Sequence, residues 1–126
     1  MAISQFRSRR KKSGGRYKYL SKKFKNRGEE PILVNINELS KKTDRIKSGK
    51  KKERLLSTNI ANVYDPKDKK YLKVKITSVI ESPSNANYIR RNIMTKGCII
   101  QTDKGVARVT SRPGQEGTLN AILLKK

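Results

Sequence analysis

The sequence predicts a mainly β protein: a small antiparallel β-barrel-like domain with one short helical segment and a long basic N-terminal extension. Three observations lead there. Leu72, Val74 and Ile76 alternate with Lys73, Lys75 and Thr77, the period-two pattern of a half-buried strand. Turn signals recur between short apolar runs, at Asp103-Lys104-Gly105 and again at Pro113-Gly114. The first 28 residues hold eleven cations and no acid, a composition too polar and too charged to form a core of its own.

Residues 1–28 therefore read as a basic arm, disordered when free of a partner. Residues 29–54 carry eight cations and five acids and read as a basic linker. Within the linker, "PILVNI" (Pro31 to Ile36) suggests an edge strand and "SGKKK" (Ser48 to Lys52) forms a second basic cluster. Residues 55–126, with thirteen cations against five acids and most of the aliphatic side chains, read as the β-barrel-like domain.

In that domain "RLLSTNIANVYD" has enough β-branched and apolar residues for one or two strands. "YDPKDKK" is a proline turn. "SPSNANYIRRNIM" breaks the period-two pattern and predicts a helical stretch from about residue 85 to 93, N-capped by Ser84. "GCIIQT" and "VARVTSR" flank a hairpin turn. Pro113-Gly114 fits the centre of a type II turn, with glycine at φ > 0. "TLNAILL" is a final strand. Cys98, the single cysteine, is expected in a core strand, since a free thiol usually packs as a small hydrophobe.

The 126 residues carry a formal charge of +22, which opposes compaction and calls for a polyanionic partner. Nucleic acid fits best, because lysine and arginine release the counterions condensed on its phosphates. An anionic membrane surface and acidic proteins fit less well. Histidine is absent, which removes Ser-His-Asp and Cys-His catalysis and imidazole metal ligation. Asp65 and Asp68 are the closest approach to a carboxylate pair, and turn chemistry explains them better. "DRIKSGKKK" lacks the first glycine and the hydroxyl of a P-loop. No enzyme, cofactor, metal or small-molecule substrate is expected. The apolar runs are too short to span a bilayer, and no apolar segment of the secretory type follows the basic N-terminus. The arm's composition also resembles a transit peptide, but Gly14-Gly15 interrupts any amphipathic helix there.

The candidate RNA-binding residues gather in three places. In the arm, Arg7, Arg9, Arg10, Lys11, Lys12, Arg16, Lys18, Lys22, Lys23, Lys25 and Arg27 supply charge. Tyr17, Tyr19 and Phe24 offer faces for unstacked bases, and Gly14 and Gly15 let backbone amides approach phosphates. In the linker the candidates are Arg45, Lys47, Lys50, Lys51, Lys52 and Arg54. In the domain they are Arg90, Arg91, Lys96 and Arg112. For Arg90 or Arg91 an alternative is open, a buried arginine buttressing Glu81. Arg112 has two options as well, a phosphate or a loop carbonyl. Single-stranded or folded RNA suits these features better than duplex DNA, since no helix-turn-helix, zinc-finger or basic-zipper pattern is present.

Three blocks carry a family resemblance. They are "RKKSGGRYKYLSKKFKNRG", "RLLSTNIANVYDP", and "ESPSNANYIRRNIMTKG" followed by "ARVTSRPGQEGTLNA". Together they resemble the archaeal and eukaryotic type of small-subunit ribosomal protein eight (the eight-e family), and the length is similar to the archaeal form. Where that family has an arginine-flanked Gly-Gly-Asn, this chain has Ser48-Gly49-Lys50. The resemblance implies a β-barrel-like domain with basic extensions that binds and stabilises folded small-subunit ribosomal RNA. It also implies other small-subunit proteins as neighbours and a cytoplasmic location in the ribosome. A ribosome-biogenesis factor sharing the domain and a generic nucleic-acid-compacting protein are the alternatives.

Overall fold

The computed structural model describes the backbone of residues 3, 4 and 27 and the whole of residues 8–18 and 28–124. The chain divides into two compact units, Met1–Pro31 and Ile32–Lys126. In the first, β1 (Ile3–Ser4) pairs antiparallel with β2 (Arg27–Gly28). Arg10 bridges Arg16 in the same unit. Lys11 N–H donates to Gly15 O at 2.7 Å, and Gly14 N–H donates to Lys11 O at 3.0 Å, which closes a tight loop. Gly14 sits at φ +82°, where a Cβ would be strained.

The second unit contains β3 (Val34–Asn35), β4 (Ser40–Arg45), β5 (Lys51–Ser57), β6 (Ile60–Asp65) and β7 (Lys70–Glu81). After these come α1 (Asn87–Arg90), β8 (Ile93–Met94), β9 (Ile99–Thr102), β10 (Gly105–Val109) and β11 (Asn120–Leu123). Five strands close into a barrel in the order β10-β11-β6-β7-β9. A ring of five strands cannot alternate direction at every seam, so at least one seam must be parallel. That seam is β11 on β6, with Ala121 beside Val63; the other four are antiparallel. A second sheet runs β4-β5-β3-β8.

The barrel strands form because one face of each is apolar. Val63, Val74, Ile100, Ala107, Val109 and Ala121 point inward and are 5% exposed or less. Along β7 the predicted alternation holds at Val74 and Ile76, then slips at a bulge between Ile76 and Ser78, so that Val79 becomes the next buried residue. Leu72 lies outside the buried set at 37% exposure. Cys98 is fully buried just ahead of β9, and burial pushes its thiol pKa up.

Several sequence expectations change. "PILVNI" is not an edge: β3 lies between β5 and β8, and Val34 is 1% exposed. The stretch 29–54 is more than a linker with one strand, since it holds β3, β4 and the start of β5. Its strands are hard to read because β4 is "SKKTDR", with no residue of it buried. The helical segment is one turn, Asn87–Arg90, and Ser84 does not cap it. Ser84 Oγ lies instead 3.3 Å from Thr95 Oγ1, while Asn85 Oδ1 accepts the Asn87 N–H at 3.0 Å. The turn at Pro113-Gly114 is not type II, because Gly114 does not adopt a positive φ. Gln115 and Glu116 N–H both donate to Arg112 O at 2.9 Å, the pattern of a helical turn. The glycine instead makes a close approach, since a Cβ on Gly114 would stand 3.3 Å from Ile32 O and the neighbouring chain would have to give by a few tenths of an ångström.

The loop from β10 to β11 ties the two sheets together. Leu55 N–H, in β5, donates to Pro113 O at 3.0 Å, and Asn62 N–H, in β6, donates to Leu119 O at 2.9 Å. At Gly117 the loop comes so close to β5 that a Cβ would lie 2.9 Å from the Glu53 Cβ. Gly117→Ala should therefore lower stability by about 1–3 kcal/mol in urea unfolding, with little rescue by Glu53→Ala because the Cβ remains. Cys98 should resist iodoacetamide at pH 8 in the folded protein and react fully in denaturant. Its raised thiol pKa also makes stability fall as pH rises above the ordinary thiol value of 9.0, since only the unfolded chain ionises freely. Cys98→Ala should flatten that alkaline decline, as read from urea midpoints at pH 8 and pH 10.

Candidate nucleic-acid interface

With 32 cations and 10 acids in the chain, the acids decide which cations stay free. At the stem of the β4–β5 hairpin they are used in pairs. Asp44 Oδ1 lies 3.3 Å from Lys42 Nζ, and Asp44 Oδ2 lies 3.0 Å from Arg54 Nε. Glu53 Oε2 accepts from Lys41 Nζ at 3.2 Å. Such pairs contribute little stability at a surface, but they orient the side chains. Arg54, a sequence candidate for RNA, is turned onto Asp44 with its side chain 20% exposed. Lys52 is also engaged, its Nζ donating to Gln115 Oε1 at 2.6 Å.

At the hairpin tip the situation reverses. Arg45, Lys47, Lys50 and Lys51 are exposed, and none has an acidic partner among the described residues. Ile46 N–H donates to Lys50 O at 2.7 Å, and a single 3-10 turn, Lys47–Gly49, closes the loop. Ser48 at φ +62° and Gly49 at φ +71° turn the backbone back on itself. A serine thus holds a left-handed position that ordinarily favours glycine. Ile46 is 42% exposed at the same tip, so the cations surround an apolar point.

The second cluster surrounds α1. Arg90 and Arg91 are both exposed, and neither is ion-paired to Glu81, so the buttress alternative falls away. Asn92, at φ +50°, accepts the Val79 N–H on its Oδ1 at 3.2 Å and pins this turn to β7. Lys96 is exposed a few residues on. Arg112 is exposed on the β10–β11 loop; its backbone N–H meets Glu116 Oε1 at 3.4 Å, and among the described residues its guanidinium caps no loop carbonyl.

In the N-terminal unit, Arg9, Arg10, Lys11, Lys12, Arg16 and Lys18 are all exposed on or beside the Arg10–Arg16 loop. Arg10 Nη1 donates to Gly14 O at 3.4 Å, and the Lys11 ammonium stands 5.7 Å from the Tyr17 ring centroid. The Gly14 amide is bonded to Lys11 O, so it is not available to a phosphate in this conformation. Arg7, Tyr19, Lys22, Lys23, Phe24, Lys25 and the Arg27 side chain lie outside the described residues.

Sequence reasoning passes over one group. Tyr71, Lys73, Lys75 and Arg108 stand exposed on the barrel's outer face, where an alternating pattern marks them only as its polar half. The signal that could have found them is the tyrosine directly beside a run of alternating lysines. Among the described residues no cluster of three or more Cys, Asp or Glu could hold a metal, and no helix is long and apolar enough to cross a membrane.

A small closed barrel with unpaired cations on its hairpin tip, loops and outer wall is a basic β-barrel protein suited to a polyanion. A sequence model described as ribosomal protein S8e matches residues 4–124. The small ribosomal subunit protein eS8 of Methanococcus aeolicus is 49% identical over 128 residues, covering 100% of both chains. Its namesake from Methanococcoides burtonii is 48% identical, over 96% of this chain and 98% of the relative. That of Picrophilus torridus is 45% identical, over 98% and 100%. The chain belongs to the ribosomal protein S8e family.

Proposed function

We propose that this protein is a non-catalytic structural component of the small ribosomal subunit, located in the cytoplasm. It binds and stabilises folded ribosomal RNA alongside other small-subunit proteins. The observation that carries the mechanism is the β4–β5 hairpin, whose acids are spent at its stem while four cations at its tip have no acidic partner among the described residues. RNA phosphates supply the missing acids there. Each phosphate neutralised releases condensed counterions, and helices whose charge is screened pack closer together. The arm adds the same chemistry over a longer reach: residues 1–28 follow the RNA surface between helices, bringing eleven cations with them. Arg90, Arg91, Lys96 and Arg112 extend the binding surface from the barrel.

Replacing Arg45, Lys47, Lys50 and Lys51 together by alanine should lower affinity for transcribed small-subunit ribosomal RNA. It should also flatten the slope of log K against log salt by about 0.7–0.9 for each phosphate that is no longer neutralised. The thermal midpoint should stay near that of the parent, because none of the four side chains is buried. An unchanged salt slope would show that the tip does not meet phosphate. For the whole chain, neutralising about 6–10 phosphates implies that affinity falls by roughly 10³–10⁵ between 50 and 200 mM salt.

Deleting residues 1–28 should leave the barrel folded, since Ile32–Lys126 forms a compact unit of its own, and should weaken RNA binding. Circular dichroism and filter binding check both halves of that statement. Competition separates this function from generic compaction: a compactor binds duplex DNA as well as it binds ribosomal RNA.

A further inference from the structure

The outer wall of the barrel carries a groove distinct from the cationic clusters of the tip and of α1. On β6 the buried residues are Ala61 and Val63, which turns Asn62 and Tyr64 outward. Their cross-strand neighbours on β7 are Lys73 and Tyr71. On the other side β11 places Asn120 beside Asn62 and Ile122 beside Tyr64. These side chains line an open groove of about 510 Å³.

Three kinds of chemistry meet there. At one end the rings of Tyr64 and Tyr71 lie 5.0 Å apart, tilted by 45°, and Tyr71 is 77% exposed. In the middle Asn62 Nδ2 donates to Asn120 Oδ1 at 3.2 Å, leaving one amide carbonyl and one amide NH₂ for a ligand. One cation, Lys73, lines the groove, and two more lie on outward positions of the same wall, Lys75 opposite Ile60 and Arg108 opposite Ile122. The outward positions on these strands (60, 62, 64, 71, 73, 75, 108, 120 and 122) include no acid.

We infer that this groove binds an unpaired RNA nucleotide, its base stacked on Tyr71, its edge on the Asn62–Asn120 amides and its phosphate on Lys73. The inference rests on the RNA-binding function proposed above and adds to it a site for a single unstacked base. Charge complementarity selects an anion. The exposed aromatic face selects a planar ligand, and a base within a duplex has no free face to offer. An apolar protein surface fits less well, since it would bury an ammonium and two half-satisfied amides without partners.

The test uses the full chain with two probes, a labelled pentaadenylate and transcribed small-subunit ribosomal RNA. Tyr71→Ala should weaken pentaadenylate binding about tenfold, the scale of removing one base–aromatic stack, while Tyr71→Phe keeps it. Lys73→Gln should reduce the salt slope for the oligonucleotide by about 0.7, and Tyr71→Ala should leave that slope unchanged. Because Tyr71 is so exposed, circular dichroism should show all three variants folded. Pentaadenylate affinity unaffected by Tyr71→Ala overturns the inference. So does release of a neighbouring protein from reconstituted subunits by Tyr71→Ala with oligonucleotide affinity unchanged, which would assign the face to a protein. If the parent chain prefers ribosomal RNA no more than duplex DNA, the ribosomal function fails by itself, and the groove is still judged on the pentaadenylate result.

Discussion

Everything in the larger unit hangs on the seam where β11 lies parallel to β6. Without it the remaining four seams would leave an open sheet with two unpaired edges. Closure turns every second side chain inward and gives a chain with few apolar residues a single enclosed core. Asn120 and Asn62 meet at that seam, so their amides both support the closure and face solvent from the outer wall. Reaching the seam requires the long β10–β11 loop, and the same loop carries Pro113 to β5 and thereby holds the second sheet in place.

Closure also decides where the charge goes. Lysines and arginines cannot enter so small a core, so a formal charge of +22 is displayed on loops, tips and the outward faces of strands. Ten acids cannot neutralise that display. At the β4–β5 hairpin they are concentrated at the stem, where they hold Lys41, Lys42 and Arg54 in fixed geometry. The result is a stem whose cations are paired and a tip whose cations have no acidic partner among the described residues. Long-range packing and local electrostatics thus have the same outcome, a scaffold that displays positive charge its own acids leave unneutralised.

Much of this is legible in the sequence, and the places where it is not have physical causes. Alternation at Val74 and Ile76 marks β7, because one side of that strand faces the core. β4 offers no such signal, as both its faces meet solvent. Arg54 looks like its neighbours in a basic run. Only the antiparallel register of β4 on β5, which places Lys42 opposite it and Asp44 two pairs further on, shows it to be committed. Gly114 suggests a positive-φ turn because Pro-Gly usually does, yet its φ is not positive and what marks the position is the close approach of Ile32.

Composition, period and contiguous motifs were enough for the mainly β class, the large excess of positive charge, the lack of histidine and the family. Three-dimensional packing was needed to tell which cations are free, which glycines permit close approach, and that Tyr64, Tyr71, Lys73 and Asn120 share one groove. The reason is that those properties belong to pairs of residues far apart in the chain. Asn62 and Asn120 are 58 positions apart and meet only because a ring of five strands must close on itself.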